Sequence, residues 1–313
     1  MPKIVRSTHS PIFIVGAPRS GTTLLQYMLR SHPDLSIPTA ESHFFIPFYQ
    51  RRNEFGDLNR KENLQSFIEQ IYHAKKDFFD DDFHGIKFDI EKFTIDCNKQ
   101  GISTIPNIID YIFQKNSLAE GKKRWGDKTP YYILHLNTIV EMFPQAQIVH
   151  IIRDGRDCAL SMLERKWDLQ IFNTYHAAYT WDKYIKAGKK FGSEQPSCYF
   201  EVRYEDILDK PEISMSQLCN FLNIEFNPKI LDFNKPIGSG KTPLLRQPLQ
   251  PNNQAKWRNK MSDKQLSIFE ALAGETLTDC KYELATKNQH ITNSERLKNE
   301  AYIKLYQLYK KYF

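Results

Sequence analysis

The run PIFIVGAPRSGTTLLQYML, residues 11–29, constrains this chain more than any other stretch. Pro11 to Val15 are apolar and of high β propensity, Gly16 to Gly21 supply turn residues, and Thr22 to Leu29 carry apolar side chains at helical spacing. The pattern predicts a buried strand, a tight turn and a helix in immediate succession. A helix start exposes backbone N–H groups without intrahelical partners and the positive end of the macrodipole, so Gly21, Thr22 and Thr23 form an anion site. Gly21 lets a ligand approach the backbone closely. The spacing from Gly16 to Thr23 matches a nucleotide-triphosphate loop in all but one respect: Thr22 stands where such a loop has its lysine, and the cation has moved to Arg19. The missing lysine would reach the outer phosphates, which weighs against a P-loop kinase or nucleotide hydrolase.

A second string, QIVHIIRDGRDCALSM (147–162), opens with the apolar run Ile148 to Ile152, a candidate parallel strand, and passes through Arg153, Asp154 and Gly155 into a helix. Arg153 therefore stands at a strand's carboxyl end, the edge where open α/β sheets bind ligands. Ser161, about two helical turns further on, can present its hydroxyl toward the same edge. Two anion sites on one crest suit a ligand with separated phosphates. Strands alternating with helices predict an α/β fold, a doubly wound and largely parallel sheet of P-loop type flanked by helices.

On these two strings the chain resembles the sulfotransferases that use 3′-phosphoadenosine 5′-phosphosulfate (PAPS), in motif style the tyrosylprotein and bacterial branch. The similarity runs from about Pro11 to about Tyr282 and is dense at the motifs. It implies that Arg19, Ser20, Gly21, Thr22 and Thr23 bind the 5′-phosphosulfate and that Arg153 and Ser161 hold the 3′-phosphate. The implied reaction is in-line transfer of a sulfuryl group to an acceptor hydroxyl, with PAPS as donor co-substrate, adenosine 3′,5′-bisphosphate (PAP) as product and no metal. In RWGDKTPYYILHL (124–136), Thr129 and Pro130 read as the cap and first turn of a helix, which would project Lys128 at the crest. By resemblance Lys128 is a catalytic cation.

The segment PDLSIPTAESHFFIPF (33–48) offers two bases, Glu41 and His43. The tyrosylprotein and glycan branches use a glutamate after the first strand–helix unit and the small-molecule branch a histidine, so position favours Glu41. A carboxylate of ordinary pKa is a weak base for a hydroxyl and would need desolvation, or would act late in the transition state. His43 has the better intrinsic basicity and the poorer family match. In CYFEVRYEDILDKPEI (198–213) a strand ends at Arg203 and Tyr204, and Tyr204 matches a position near the donor nucleotide. In NQAKWRNKMS (253–262), Lys256 and Trp257 resemble a segment folded over the donor. The intervening run 235–251, rich in Gly, Pro, Ser and Lys, is expected to be a mobile loop that orders on donor binding. A donor-binding module without catalysis is a further alternative.

With 313 residues, 41% of them hydrophobic, the chain can bury a full α/β core. The anion-binding strings spread from Arg19 to Lys256 and must converge on one sheet, which predicts a single domain over residues 10–285 and a C-terminal amphipathic extension over 286–313. In that extension Leu297, Ala301, Leu305, Leu308, Tyr309 and Tyr312 recur at helical spacing, a face expected to pack on the domain or on a second subunit in a homo-oligomer. No stretch reaches the roughly 18–20 apolar residues of a bilayer span, and Cys97, Cys158, Cys198, Cys219 and Cys280 are scattered without metal-ligand spacing, so a cytoplasmic protein with reduced thiols is expected. A net charge of +6 suits anionic ligands, while the basic residues are too dispersed for nucleic acid. The aromatic-rich stretch from Phe44 to Phe88, with Asp80, Asp81 and Asp82 at a turn, is expected to build the acceptor cleft, with most of its rings explicable as core packing of helices over the sheet. The acceptor itself, whether sugar, lipid, phenol, peptide tyrosine or metabolite, is left open.

Overall fold

The computed structural model describes residues 10–233, 245, 247–287 and 290–312. Five strands, β1 (Ile12–Gly16), β2 (Leu35–Ser36), β3 (Arg124–Lys128), β4 (Gln147–Ile152) and β5 (Tyr199–Arg203), form one parallel sheet in the order β2-β3-β1-β4-β5. Helices cover both faces, so the sheet is the expected α/β architecture. Parallel strands buried on both sides read as unbroken apolar runs, and every residue of β1 is buried. From the central strand β1 the chain crosses to the edge at β2, returns to β3, then passes over β1 to β4 and β5. The connections thus diverge around β1, which opens a crevice beyond the strands' carboxyl ends. The register pairs Ile14 with Lys128, Gly16 with Ile151 and Ile152 with Arg203, so Lys128, the turn after Gly16, Arg153 and Tyr204 emerge along one crest.

Alternation along the strands sends Phe13, Val15, Trp125 and Ile148 into one core and Ile12, Ile14, Val149, Ile151 and Val202 into the other. The first core takes up the aromatic stretch. Phe45 is fully buried, its ring 6.1 Å from that of Phe13 and stacked at 5.6 Å on Tyr132. Phe44, Phe48, Phe67, Phe78, Phe79, Phe83 and Phe88 follow it inside. Against the acceptor-cleft expectation, these rings are chiefly the packing between helices and sheet, although Phe78 and Asp82 also border a cavity; the three aspartates belong to a π-helical turn, Phe78–Asp82. Thr129 also differs from expectation. It precedes a 3-10 segment, Pro130–His135, without capping it, because its hydroxyl accepts from the backbone N–H of Ser42 at 3.1 Å.

The C-terminal helix Asn293–Tyr312 rests on the long helix Thr174–Glu194 and its cap through the Asn299–Asn173 hydrogen bond (3.0 Å), the Tyr302–His176 ring contact and the buried Ile303. Leu297 and Leu305 of the expected apolar face point to solvent instead, 68% and 67% exposed. Among the described residues no helix is long and apolar enough to cross a membrane. Most of the run 235–251 lies outside the described residues.

Beneath the crest, Arg156 is sealed in a polar cluster: its guanidinium donates to Asp154, to Glu270 at 2.8 Å and to the carbonyl of Glu283, and lies 3.7 Å from the centroid of the Trp257 ring. Arg156→Ala would leave two buried carboxylates without their partner, and breaking such a pair costs about 3–5 kcal/mol. Urea denaturation is expected to show a loss of that size in the variant, with an unchanged m-value.

Candidate active site

The turn after β1 is held in a conformation that serves its helix. Arg19 adopts a left-handed backbone (φ 69°), Ser20 closes a turn onto the carbonyl of Ala17, and Gly21 (φ 101°) precedes the helix Thr22–Arg30. No side chain caps that helix, so its first N–H groups face the crevice. A Cβ on Gly21 would lie 2.5 Å from the ring of Tyr204, and one on Gly16 would lie 2.7 Å from the carbonyl oxygen of Ile151. These two glycines let the turn sink between β4 and the helix that begins at Tyr204.

Around this helix start the structure gathers the cations. Arg19 donates from Nε to Ser161 at 2.9 Å. The guanidinium of Arg153 lies 4.3 Å from the Tyr204 ring centroid and donates to the backbone carbonyl of Asn253 at 3.0 Å, with Asp157 at 3.5 Å. Asn253 completes the link by donating from Nδ2 to the Tyr204 hydroxyl at 2.7 Å. Burial, together with the neighbouring positive charges of Arg165 and Arg153, lowers the pKa of Arg19 against a smaller opposing pull from Glu164. The local field therefore favours an anion.

Across the crevice the β2 side presents a carboxylate whose two oxygens are both engaged. Lys128, 4% exposed at the end of β3, donates to Glu41 Oε1 at 2.7 Å, and His43 Nε2 lies 2.8 Å from Oε2. Burial pushes the Glu41 pKa up, but the His43 hydrogen bond and the charge and hydrogen bond of Lys128 outweigh it and bring it down to about 2. The segment is pinned from behind: the hydroxyl of the buried Tyr132 meets Ser42 Oγ at 2.8 Å and accepts from the N–H of Phe45 at 3.1 Å. His43 between them has a left-handed backbone, φ 55°. Asp127, wholly buried beside Ser42 and Thr129, is raised by burial to about 6.

Both groups face one cavity of about 840 Å³, lined by Arg19, Gly21, Thr22, Thr23, Arg153 and Tyr204 on one side and by Glu41 and His43 on the other. A second cavity of about 770 Å³ shares Arg19, Thr23 and Glu41 and reaches Lys128, Lys75 and Asp82. Two sequence-derived candidates stand apart from either. Trp257 is buried in a core, its N–H donating to Asp157 at 2.9 Å, and Lys256 is exposed beside it. The segment's reach to the cavity is Asn253, which nothing in its residue type distinguished. Ser161 touches the site through Arg19 rather than by lining the cavity, and Ser20 is buried within the turn.

A crevice beyond a parallel sheet that gathers an uncapped helix start, two arginines and a lysine–carboxylate pair is suited to an anionic ligand. The chain belongs to the sulfotransferase family, whose model matches residues 11–228. It is 26% identical over 231 residues to a putative protein-tyrosine sulfotransferase of Caenorhabditis briggsae, covering 73% of this chain and 70% of that one. It is also 26% identical over 263 residues to protein-tyrosine sulfotransferase 1 of Danio rerio, covering 80% of this chain and 66% of that one. Among solved structures it shares its fold with the sulfotransferase domain of the Synechococcus PCC 7002 olefin synthase (TM-score 0.59, 22% identity, 88% of this chain and 97% of that one). The sulfotransferase domain from the curacin biosynthetic pathway is similar too (TM-score 0.57, 24% identity, 88% and 99%).

The Glu41 contacts carry a pH consequence. Its folded pKa is depressed from 4.5 to about 2, so the stabilisation from its partners is complete above the ordinary value and is lost as pH falls through about 2. Carboxyl ¹³C NMR is expected to show Glu41 titrating near pH 2, and Lys128→Met is expected to move that midpoint upward.

Proposed function

We propose that this protein transfers a sulfuryl group from PAPS to an acceptor hydroxyl by in-line displacement. The observation that carries the reading is the placement of the Gly21–Thr23 helix start, Arg153, Glu41 and His43 around one cavity, with Lys128 bonded to Glu41 from the adjoining cavity. The 5′-phosphosulfate belongs on the N–H groups of Gly21, Thr22 and Thr23, with Ser20 shaping the turn beneath. Arg153, with Tyr204 under its guanidinium, suits the 3′-phosphate, since a guanidinium fork matches phosphate oxygens. Ser161 fixes Arg19 at the same end. Trp257 and Lys256 act at a remove, through Asp157 and the chain leading to Asn253.

In the transition state negative charge spreads over the sulfuryl oxygens and the departing phosphate. Arg19, the helix-start amides and Lys128 offset it, while Glu41 and the His43 bonded to it are the basic groups on the acceptor side. The chemistry draws its positive charge from side chains and backbone, with no metal in the proposed scheme. The tyrosine-sulfating names of the relatives make a phenolic hydroxyl one candidate acceptor.

Calorimetry with PAP and ADP tests the donor. PAP is expected to bind and ADP to bind far more weakly, with the difference abolished in Arg153→Ala; equal binding of the two, or none of either, would overturn the reading. Once an acceptor is in hand, Arg19→Ala and Lys128→Ala are each expected to lower kcat by about 10²- to 10³-fold, the usual cost of one preorganised donor. Near-normal turnover in either variant would remove that residue from the scheme.

A further inference from the structure

The cavity shared by the helix start, Arg153 and Glu41 extends along a wall to which the sulfuryl-transfer scheme gives no role. The long helix Thr174–Glu194 contributes His176, Tyr179, Thr180, Lys183 and Tyr184, whose spacing is that of a single helical face. The 3-10 segment Pro130–His135, which packs on that helix and follows directly after Lys128 and Thr129, contributes Pro130, Tyr131 and Leu134. Leu169 and Ile171 join them from the chain that leads into the helix. Ile171 and His176 are buried, whereas Tyr131 is 40% and Tyr179 36% exposed, with Lys183 exposed beside them. The wall therefore runs from the interior to an aromatic mouth at the surface.

Apart from the Thr180 hydroxyl and the buried His176, this wall is apolar or aromatic until it reaches Lys183. Among the described residues Lys183 has no ion-pair partner. Its sequence neighbour Asp182 is engaged by Lys186 at 3.0 Å and by the hydroxyl of Thr276. The Lys183 charge is felt across the mouth instead: with burial, it lowers the pKa of His135, whose Nε2 lies 2.6 Å from the Tyr131 hydroxyl. The carboxylate that lines the cavity, Glu41, is already bonded to Lys128 and His43. The adjoining cavity differs in kind, since it sets Lys75, Lys76 and Arg165 among Asp77 and Asp82, charges of both signs in place of an apolar wall.

We propose that the acceptor lies along this wall and is a hydroxyl compound with an aromatic or apolar body and an anionic group, a carboxylate or its equivalent, which Lys183 reads at the mouth. This rests on the sulfuryl-transfer reading above and names its acceptor class. An apolar body gains by leaving water for Leu134, Leu169, Ile171 and the tyrosine rings. A sugar would turn several hydroxyls toward the same side chains and lose their hydrogen bonds to water. Lys183 is a specificity-determining residue that stays clear of the reacting atoms. An ammonium at an exposed mouth discriminates modestly, by up to about fivefold in affinity, and its pull is screened by salt.

The probes are 3-(4-hydroxyphenyl)propionate, its amide, and glucuronate, an anion on a polar body. NMR titration of the donor-free protein is expected to show the propionate binding about fivefold more tightly than the amide, a preference that shrinks at high salt. Lys183→Met is expected to bind the two equally and Lys183→Arg to keep the preference, with glucuronate at least about tenfold weaker than the propionate throughout. With PAPS, the same preference is expected in KM, with kcat unchanged by Lys183→Met. Equal binding of propionate and amide to the wild type, or a preference that survives Lys183→Met, would overturn the proposal. So would glucuronate binding as tightly as the propionate, or a preference removed by Lys75→Met instead, which would place the acceptor in the adjoining cavity. PAP calorimetry is read separately: absent PAP binding would overturn the donor reading, while the donor-free titrations still decide the wall.

Discussion

Two arginines held close together without a matching set of carboxylates are the constraint on which the crest is built. Arg153 Nη1 reaches the carbonyl of Arg19 at 3.5 Å, and the pair repel one another and Arg165. Such an arrangement costs electrostatic energy, reduced only partly by solvent screening. Largely neutral acceptors hold it in place: a serine hydroxyl for Arg19, and a tyrosine face and an asparagine carbonyl for Arg153, to which Asp157, at 3.5 Å and shared with the backbone N–H of Trp257, and Glu205 add favourable charge. The cations are thus positioned without being neutralised. A dianionic ligand arriving there supplies the missing charge, and the sheet and its cores supply the stability that permits the deficit.

The lysine–carboxylate pair is built on the contrary rule. Lys128 is almost fully buried, and its charge is met directly by Glu41. The Arg19–Arg153 pair is therefore short of negative charge, while the Lys128–Glu41 pair is internally balanced. In the proposed scheme a donor rich in phosphate would be drawn toward Gly21 and Arg153 and away from the Glu41 carboxylate, leaving the basic groups to the hydroxyl partner. Register enforces the separation, since β3 and β4 flank β1 and carry Lys128 and Arg153 out on either side of the turn.

What was legible in the sequence was local. The strand–turn–helix at Ile12–Arg30 declares itself within twenty residues, because apolar strand, glycine turn and helix start are set by near neighbours, and β4 with Arg153 does so for the same reason. The features that misled depend on partners far along the chain. Thr129 has the right neighbours for a helix cap, yet its hydroxyl serves Ser42, 87 positions away. Aromatic residues between Phe44 and Phe88 have no composition that separates cleft from core; burial against Phe13 and Trp125 decides it. Trp257 reads as a nucleotide-covering ring until Arg156 is seen beneath it. Of the two partners expected for the C-terminal helix, the domain is met through Ile303 on the helix Thr174–Glu194, one face around from the exposed Leu297 and Leu305.

The replacement of the phosphate-loop lysine by Thr22 now has a structural reading. A lysine at the first helical position would send one flexible point charge along the ligand's axis. Here that charge is divided between Arg19, set before the helix by its left-handed backbone, and Arg153, delivered from the neighbouring strand. Two rigid guanidinium forks at separate places grip separate anionic groups better than one ammonium at the end of a chain. In the proposed scheme the loss of the lysine is therefore less a defect in a nucleotide-triphosphate loop than a redistribution of charge, from three phosphates in a row to two anionic groups held apart. The same logic explains why Tyr204 must crowd Gly21: the ring that excludes any side chain there is also the surface against which Arg153 lies flat.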